Sequence, residues 1–534
     1  MKKIIAMDIG SSAIKACVYG LDSEEIKLLY SCTVNIGLYS PKPGYAEHNP
    51  DEVWSAFCEA TNKIFASNII TNEEVCCVSL CSQAQCVVLV DEFGNTLTPI
   101  YNSQDTRATE TFKKYFSGII NVDGVSVFKA LKCYLASGFM PGSAKDPVFK
   151  YKWVEDNLPQ VYEKAYKWLD IKDYIICRLT GEFITTKDNA HAYTIYNSKE
   201  NKGNWSKIIC KLFKVDTDKL PKVIDSTDIV GEISESTAKQ TGLAVGTAVI
   251  GGIIDSSGVQ YGSGAVDVGE SMVYWGTSGW VGTVLDKMKI DLISRTGALI
   301  AAENNKFHYY ACLDSAGISY RWLKEHVVEN DGILSEKNYI KENENYKYMN
   351  KALINVPIGS EGLMYAPWIT GCRAPMEASD IGGMFLNIKI NMNKKHFIKA
   401  VAEGICYHYR LLSEVTAKKI TMPNKIRFVG GGAESDEISQ ILADITGCVV
   451  EVPEHPQDVG ALGAAIVGFY AIGDKEKTLV ETAHMQKAEK TFLPNEENHN
   501  TYNKYYEVYK KLYKSNNKLL KSLTKINDGQ GEKI

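Results

Sequence analysis

Two short segments, far apart in the chain, share one layout, and this repetition constrains the fold more than any other feature. Residues 4–18 run as an apolar stretch (Ile4, Ile5, Met7, Ile9), the turn Gly10-Ser11-Ser12, and a second stretch with Ala16 and Val18. Residues 271–286, SMVYWGTSGWVGTVLD, repeat that layout around Gly276-Thr277-Ser278. An alternating strand, a tight turn of glycine and small hydroxyl residues, and a returning strand make a β-hairpin. One such hairpin near the start of each half predicts a duplicated domain. We expect a first domain over 1–253 and a second over 254–534. At 534 residues the chain is also too long for a single hydrophobic core.

Strands and helices alternate within the halves. Val53, Phe57, Ala60 and Ile64 share one helical face between Asp51 and Ala66, with Pro50 just before the start. The runs VCCVSL and CVVLVD read as strands leading to the turn Asp91-Glu-Phe-Gly-Asn95. This alternation predicts an α/β protein. The polar, Asn- and Lys-rich stretch from Leu334 to Met349 reads as a surface excursion. From Tyr502 to Leu523, Tyr505, Val508, Tyr509, Leu512, Tyr513, Leu519 and Leu520 recur at helical spacing opposite a lysine-rich face. We read an amphipathic C-terminal helix packed on the second domain rather than on a membrane.

Composition removes several function classes. A net charge of −5 carries no basic footprint for nucleic acid, and 45% hydrophobic with 23% charged residues is ordinary for a globular protein. The fourteen cysteines form no C-x-x-C pair, and Cys76, Cys77, Cys81 and Cys86 sit in apolar or alternating runs. The N-terminus lacks the apolar core of a signal peptide. Reduced thiols in a cytoplasmic protein are expected. The longest apolar stretch, Ala461 to Gly473, is too short and glycine-rich to span a bilayer. No Gly-Lys dipeptide occurs, so there is no Walker-type loop, and neither H-E-x-x-H nor G-x-G-x-x-G is present.

What remains is a set of glycine-rich strand ends. In Asp8-Ile-Gly-Ser-Ser12 the turn leaves backbone N–H groups free for phosphate oxygens, Lys15 adds a charge, and Asp8 suits Mg²⁺ held through water. An ordinary hairpin with a solvated Asp fits the same residues. Trp275-Gly-Thr-Ser-Gly279 says little alone. Phe428-Val-Gly-Gly-Gly-Ala-Glu-Ser435 feeds a helix from Asp436 to Thr446, and three glycines at that junction let a flat ligand approach the backbone. In Gly251-Gly-Ile-Ile-Asp255-Ser-Ser-Gly258, Asp255 ends an apolar strand. It suits either a base that accepts a hydroxyl proton during phosphoryl transfer or a helix N-cap.

In order, these segments resemble the FGGY family of carbohydrate kinases, whose members include xylulokinase, glycerol kinase, gluconate kinase and ribulokinase. The resemblance runs through MDIGSSAIKACVYGLD, YAEHNPDEVW, SQAQCVVLVDEFGNTLTPIYNSQDTRA, WLDIKDYIICRLTGEF and GGIIDSSG. It continues through GTSG, GLMYAPWITGCRAP, AVAEGICYHYR and VGGGAESDEISQILADITGCVVEVPEHPQDVGALGAAIVG. It implies two ribonuclease-H-like domains of the actin and hexokinase kind flanking a cleft, with sugar on the first and ATP on the second. By position it makes Asp255 the proton acceptor. Asp8, Gly10, Ser11, Ser12 and Lys15 become the first phosphate motif, and Gly276, Thr277 and Ser278 the second. Gly431, Gly432 and Ala433 match the adenosine motif, with Ser435 and Gln440 near it. ATP and Mg²⁺ are implied, the metal beside Asp8 and Asp255, and a homodimer is compatible.

The sugar end departs from the family. Gln83-Ala84-Gln85-Cys86 stands where xylulokinases carry Gln-Met-His-Gly and glycerol kinases Gln-Arg-Glu-Thr. Ser256 replaces the usual Asn or Gln after the base, and Ser103-Gln-Asp105-Thr-Arg107 keeps the Asp and Arg of W-x-D-x-R without its Trp. Gln83, Ala84, Gln85, Asp105, Arg107, Asp255 and Ser256 are the expected sugar contacts. Gln85 still offers a donor and an acceptor to hydroxyls, and Ala84 and Ser103 widen the pocket. The resemblance implies a kinase for a small sugar, a ketopentose such as D-xylulose. Ribulose, a tetritol or other polyol, and an aldonate are the alternatives, followed by a non-catalytic ATP-binding sugar sensor.

Overall fold

In the first sheet β1 (Lys2–Ile9) and β2 (Ala13–Leu21) pair antiparallel around the Gly10-Ser11-Ser12 turn, and β3 (Ile26–Asn35) continues antiparallel beside β2. On the other side of β1 comes β4 (Val75–Ser82), parallel to it. The strands β5 (Ile229–Glu232), β6 (Ala248–Ile250) and β7 (Ile253–Ile254) follow, with β6 and β7 both parallel to β4 and β5 at the edge.

The second sheet repeats the scheme. The hairpin of β8 (Ser271–Trp275) and β9 (Gly279–Leu285) closes around Gly276-Thr277-Ser278. After β10 (Ile290–Asp291) and β11 (Thr296–Ile300), β12 (Phe307–Leu313) pairs antiparallel with β9. Then β13 (Lys425–Val429) and β14 (Val449–Pro453) add parallel on the far side of β8, and β15 (Ala488–Phe492) ends the sheet. Strand order and direction in the two sheets correspond, β1-β2-β3-β4-β6 to β8-β9-β12-β13-β14. The duplication read from two hairpins is a duplication of whole ribonuclease-H-like sheets. The computed structural model describes all residues except 23–24, 123, 292–295, 329–341, 377, 379–380, 418–422, 474–476 and 532–534.

The helices that matter for the site are α1 (Pro50–Ala66), α2 (Asp255–Ser263), α3 (Gly317–Leu323), α4 (Asp436–Thr446), α5 (Val459–Ala471), α6 (Glu496–Tyr509) and α7 (Leu512–Gly531). In α1 the Asn49 side chain caps the N-terminus and Val53, Phe57, Ala60 and Ile64 are buried, as their spacing predicts. The apolar stretch after Asp458 is α5, which lies across β1 and β4 of the first sheet although it comes between β14 and β15 of the second. Against it crosses α2, backbone on backbone. A Cβ at Gly262 would overlap the Val459 carbonyl, and one at Gly463 would overlap that of Gly258. Only glycine allows this approach.

Three expectations need correcting. The run CVVLVD supplies only the short strand Val88–Val90, paired with Lys167–Leu169 outside the main sheet, after Gln85 turns the chain at φ 66. Residues 334–341 of the expected surface excursion lie outside the described residues. The rest of it opens the helix Glu342–Ile354, which puts Met349, Ala352 and Leu353 into the second core. The C-terminal amphipathic helix is two helices, α6 and α7, meeting at Lys510 and Lys511. Its buried face is Tyr502, Tyr506, Tyr509 and Leu512, whereas Val508 and Leu519 are 48% and 67% exposed. Tyrosine hydroxyls choose that face, because Tyr502 donates to Glu403 (2.9 Å) and Tyr506 to Glu414 (2.8 Å). Among the described residues no disulfide forms and no helix is long and apolar enough to cross a membrane.

Candidate active site

Three parallel strands deliver the chemistry at their carboxyl ends, where open α/β sheets hold ligands. Asp8 near the end of β1 is in register with Cys81 of β4, and Cys81 with Ile253 of β7. Asp255 follows as the first residue of α2, its Oδ1 accepting the Ser256 N–H at 2.7 Å. The N-cap position is Ile254, so Asp255 is not the cap, and its negative charge suits a helix start. Asp188 anchors the approach, accepting the Ile254 N–H at 2.9 Å.

The two carboxylates strain against each other. Burial raises the Asp255 carboxyl to about 7, the charges of Asp8 and Asp188 push the same way, and the Ser256 N–H opposes them. Burial also raises Asp8, offset by the Lys15 ammonium and a hydrogen bond with the Cys81 thiol. Beside Asp255 the hydroxyls of Ser256 and Ser257 are buried without a hydrogen-bond partner. Buried polar groups normally have one, so these two await a ligand or solvent.

A cleft of about 820 Å³ brings the glycine turns together, within the usual size of a small-molecule site. Lys15, Gly276, Thr277, Gly431, Gly432 and Ser435 all line it. Lys15 crosses from the first hairpin to pair with Asp458 (2.7 Å) and the Gln457 carbonyl (2.8 Å). Trp275 explains two of the three glycines after β13, since a Cβ at Gly430 would overlap its carbonyl and one at Gly432 its ring. The start of α3 docks beneath the second turn, the N–H groups of Gly317 and Ile318 donating to the carbonyls of Gly276 and Thr277 at 2.9 and 3.0 Å. At one side of the cleft Tyr320 and Tyr346 stack at 16°. That recess is flat and aromatic, suited to a nucleobase.

Other expected nucleotide residues stand off this lining. Gly10, Ser11 and Ser12 form the hairpin that carries Lys15, Ser278 is exposed, and Ala433 is buried. Gln440 points elsewhere: its amide donates to Asp444 (2.8 Å) and the Leu493 carbonyl (2.9 Å). Ser435 lines the cleft while capping α4, accepting the Ile438 N–H.

On the sugar side, Gln83 is fully engaged, donating to the Gly10 carbonyl and the His48 ring and accepting from Asn102. It supports the first turn from below. Ala84 and Gln85 are half-buried at the adjoining bend. Asp105 and Arg107, expected as sugar contacts, form a closed ion pair instead. Their side chains are 0% and 3% exposed, the carboxylate also accepts the Ala46 N–H, and the guanidinium lies over Tyr45 and Tyr101. The Asp105 carboxylate is occupied by the N–H groups of Ala46 and Arg107 and by the Arg107 guanidinium. The sequence reading misses Asp458, Asp188, Cys81 and Tyr274. None of these carries a local signal: Asp458 meets Lys15 only because α5 and the turn before it pack on the first sheet.

Residues 3–261 match the N-terminal domain, and residues 272–472 the C-terminal domain, of the FGGY family of carbohydrate kinases. A gluconokinase of Bacillus licheniformis is 26% identical over 94% of this chain and 93% of its own length. A xylulose kinase of Bacillus subtilis is 26% identical over 95% and 96%. Among solved structures, a ligand-bound xylulose kinase from Lactobacillus acidophilus superposes with a TM-score of 0.83 at 24% identity, covering 98% of this chain and all of the other (100%). A gluconate kinase from the same species gives 0.82 at 24%, covering 96% and 98%. At these identities the superpositions establish the fold alone.

Proposed function

The chain belongs to the FGGY family of carbohydrate kinases and is a sugar phosphotransferase, and from that premise we propose that it transfers the γ-phosphate of ATP to a hydroxyl of an uncharged ketopentose such as D-xylulose. One observation favours an uncharged sugar over an aldonate: the cations around the sugar end are committed to the protein. Lys150 donates to the carbonyls of Gln85 and Asn102 at 2.6 and 2.8 Å, Lys172 to those of Gly251 and to Thr186, and Arg107 to Asp105 and Glu47. A carboxylate there would lack the charge-assisted partner that offsets its desolvation. The unpartnered Ser256 hydroxyl and the half-buried Gln85 suit sugar hydroxyls.

The glycine turns cradle the phosphates, the Tyr320 recess takes the base, and Asp255 accepts the proton of the attacking hydroxyl. Mg²⁺ fits Asp8 and Asp255, two half-buried carboxylates that repel each other. When bound it would neutralise charge on the phosphates. In assays of ADP release over ketopentoses, polyols and aldonates, a ketopentose should give the highest kcat/KM, about tenfold or more above gluconate, the scale of one lost polar interaction. A gluconate preference would overturn the sugar assignment and leave the kinase standing.

Asp255 works only when ionised. Its carboxyl sits at about 7 with no metal beside it and is drawn lower by bound magnesium. Thus kcat/KM for the sugar should fall about tenfold per pH unit on an acid limb at or below 7 and level off above it. A flat profile between about pH 5.5 and 8 would remove an Asp255 of that acidity from the rate.

A further inference from the structure

We propose that Tyr274 is a further catalytic residue, its hydroxyl donating a hydrogen bond to the phosphoryl group in flight between ATP and the sugar. This rests on the kinase reading above and adds a group from the second sheet to a reaction so far assigned to carboxylates of the first. Tyr274 is the penultimate residue of β8 and lines the cleft beside Lys15, Gly276 and Thr277. Its ring is held in place, stacked on Trp280 with centroids 4.1 Å apart, while its carbonyl accepts the Tyr409 hydroxyl at 2.8 Å. The ring folds back under the phosphate turn, because a Cβ at Gly276 would overlap the Tyr274 Oη. Position 276 must be glycine partly to make room for this hydroxyl.

That hydroxyl has no hydrogen-bond partner among the described residues. Burial, with the charges of Asp8 and Asp255 adding to it, raises the phenol well above its usual range. A phenol so placed keeps its proton and offers only a donor. It lies against the turn read as holding phosphate, on the wall of the cleft that Lys15 and Thr277 also line. In the transfer, the bond from the γ-phosphorus to the β–γ bridging oxygen breaks and the bond from the sugar oxygen forms. The sugar proton passes to Asp255 and ADP leaves. Tyr274 loses no proton; it stabilises charge on the equatorial oxygens, as preorganised donors do.

The test is Tyr274→Phe, which keeps the ring and its stack on Trp280. Turnover should fall about a hundredfold, the lower end of the range for one such donor. The KM values for sugar and ATP and the Kd for ADP should stay within about twofold, while binding of ADP with aluminium fluoride, which mimics the transferring group, weakens in step with turnover. Turnover within about twofold of wild type would overturn the proposal, as would equal losses for ADP with and without aluminium fluoride, the signature of packing alone. A wild-type protein that phosphorylates no sugar in the panel is a different result: it removes the kinase reading itself and this inference with it.

Discussion

Asp255→Asn is expected to lower turnover by about a hundredfold or more, the usual scale for a general base, with sugar and ATP binding largely kept. The amide keeps the size of the carboxylate and can still accept from the Ser256 N–H, but it cannot take up the hydroxyl proton. Steady-state kinetics paired with calorimetric binding of the sugar separates the two effects. Near-normal turnover would exclude Asp255 as base; Asp105 is already held by Arg107 and the Ala46 N–H. The same variant should change stability in a pH-dependent way. The folded carboxyl sits at about 7, above its unfolded value of about 3.9. The stability it contributes is complete below the unfolded value and is lost as pH rises through 7. Free of ligands, Asp255→Asn should therefore melt higher than wild type at pH 8, and the gap should close toward pH 4.

Asp8→Asn should lower turnover on the order of a hundredfold and raise the magnesium concentration needed for half-maximal rate, since one of two hard carboxylate ligands becomes an amide. Its second signature is electrostatic. Removing the Asp8 charge removes part of the repulsion that raises Asp255, so the acid limb of kcat/KM should move to lower pH. Magnesium titrations and pH profiles of the residual activity read both. Unchanged turnover at saturating ATP and magnesium would sink the assignment of Asp8.

Local signals carry some of this structure and not the rest. The helix Asp436–Thr446 is legible to the residue, because Ser435 caps it and Gly447 ends it in the left-handed conformation. The two hairpins are legible because alternation and a Gly-Ser or Gly-Thr-Ser turn lie within a few residues of one another. Gln440 misleads because its partners, Asp444 and the Leu493 carbonyl, come from a helix turn and a strand end that only the fold assembles. Asp105 and Arg107 mislead because spacing cannot tell a charge that faces a ligand from one whose partner is two residues away. Tyr274 is invisible for a related reason: an aromatic residue in an apolar strand reads as core, and only the turn above it shows that its hydroxyl reaches the cleft.

The crossing of α2 and α5 sets where motion has leverage. Two helices touching through bare backbone at Gly258, Gly262 and Gly463 leave little play at that point, so any swing of one sheet against the other turns about it as scissors turn about their pin. Displacement in such a swing grows with distance from the pin. Asp255 is three residues before Gly258, about 4.5 Å along the axis at 1.5 Å per residue, and Asp8 abuts Gly460 of the other helix. Both carboxylates ride almost at the pin, while the Tyr320 recess and the turn holding Tyr274 travel on the blades. A swing about that pin would open the cleft to substrates while the two acidic groups keep their spacing.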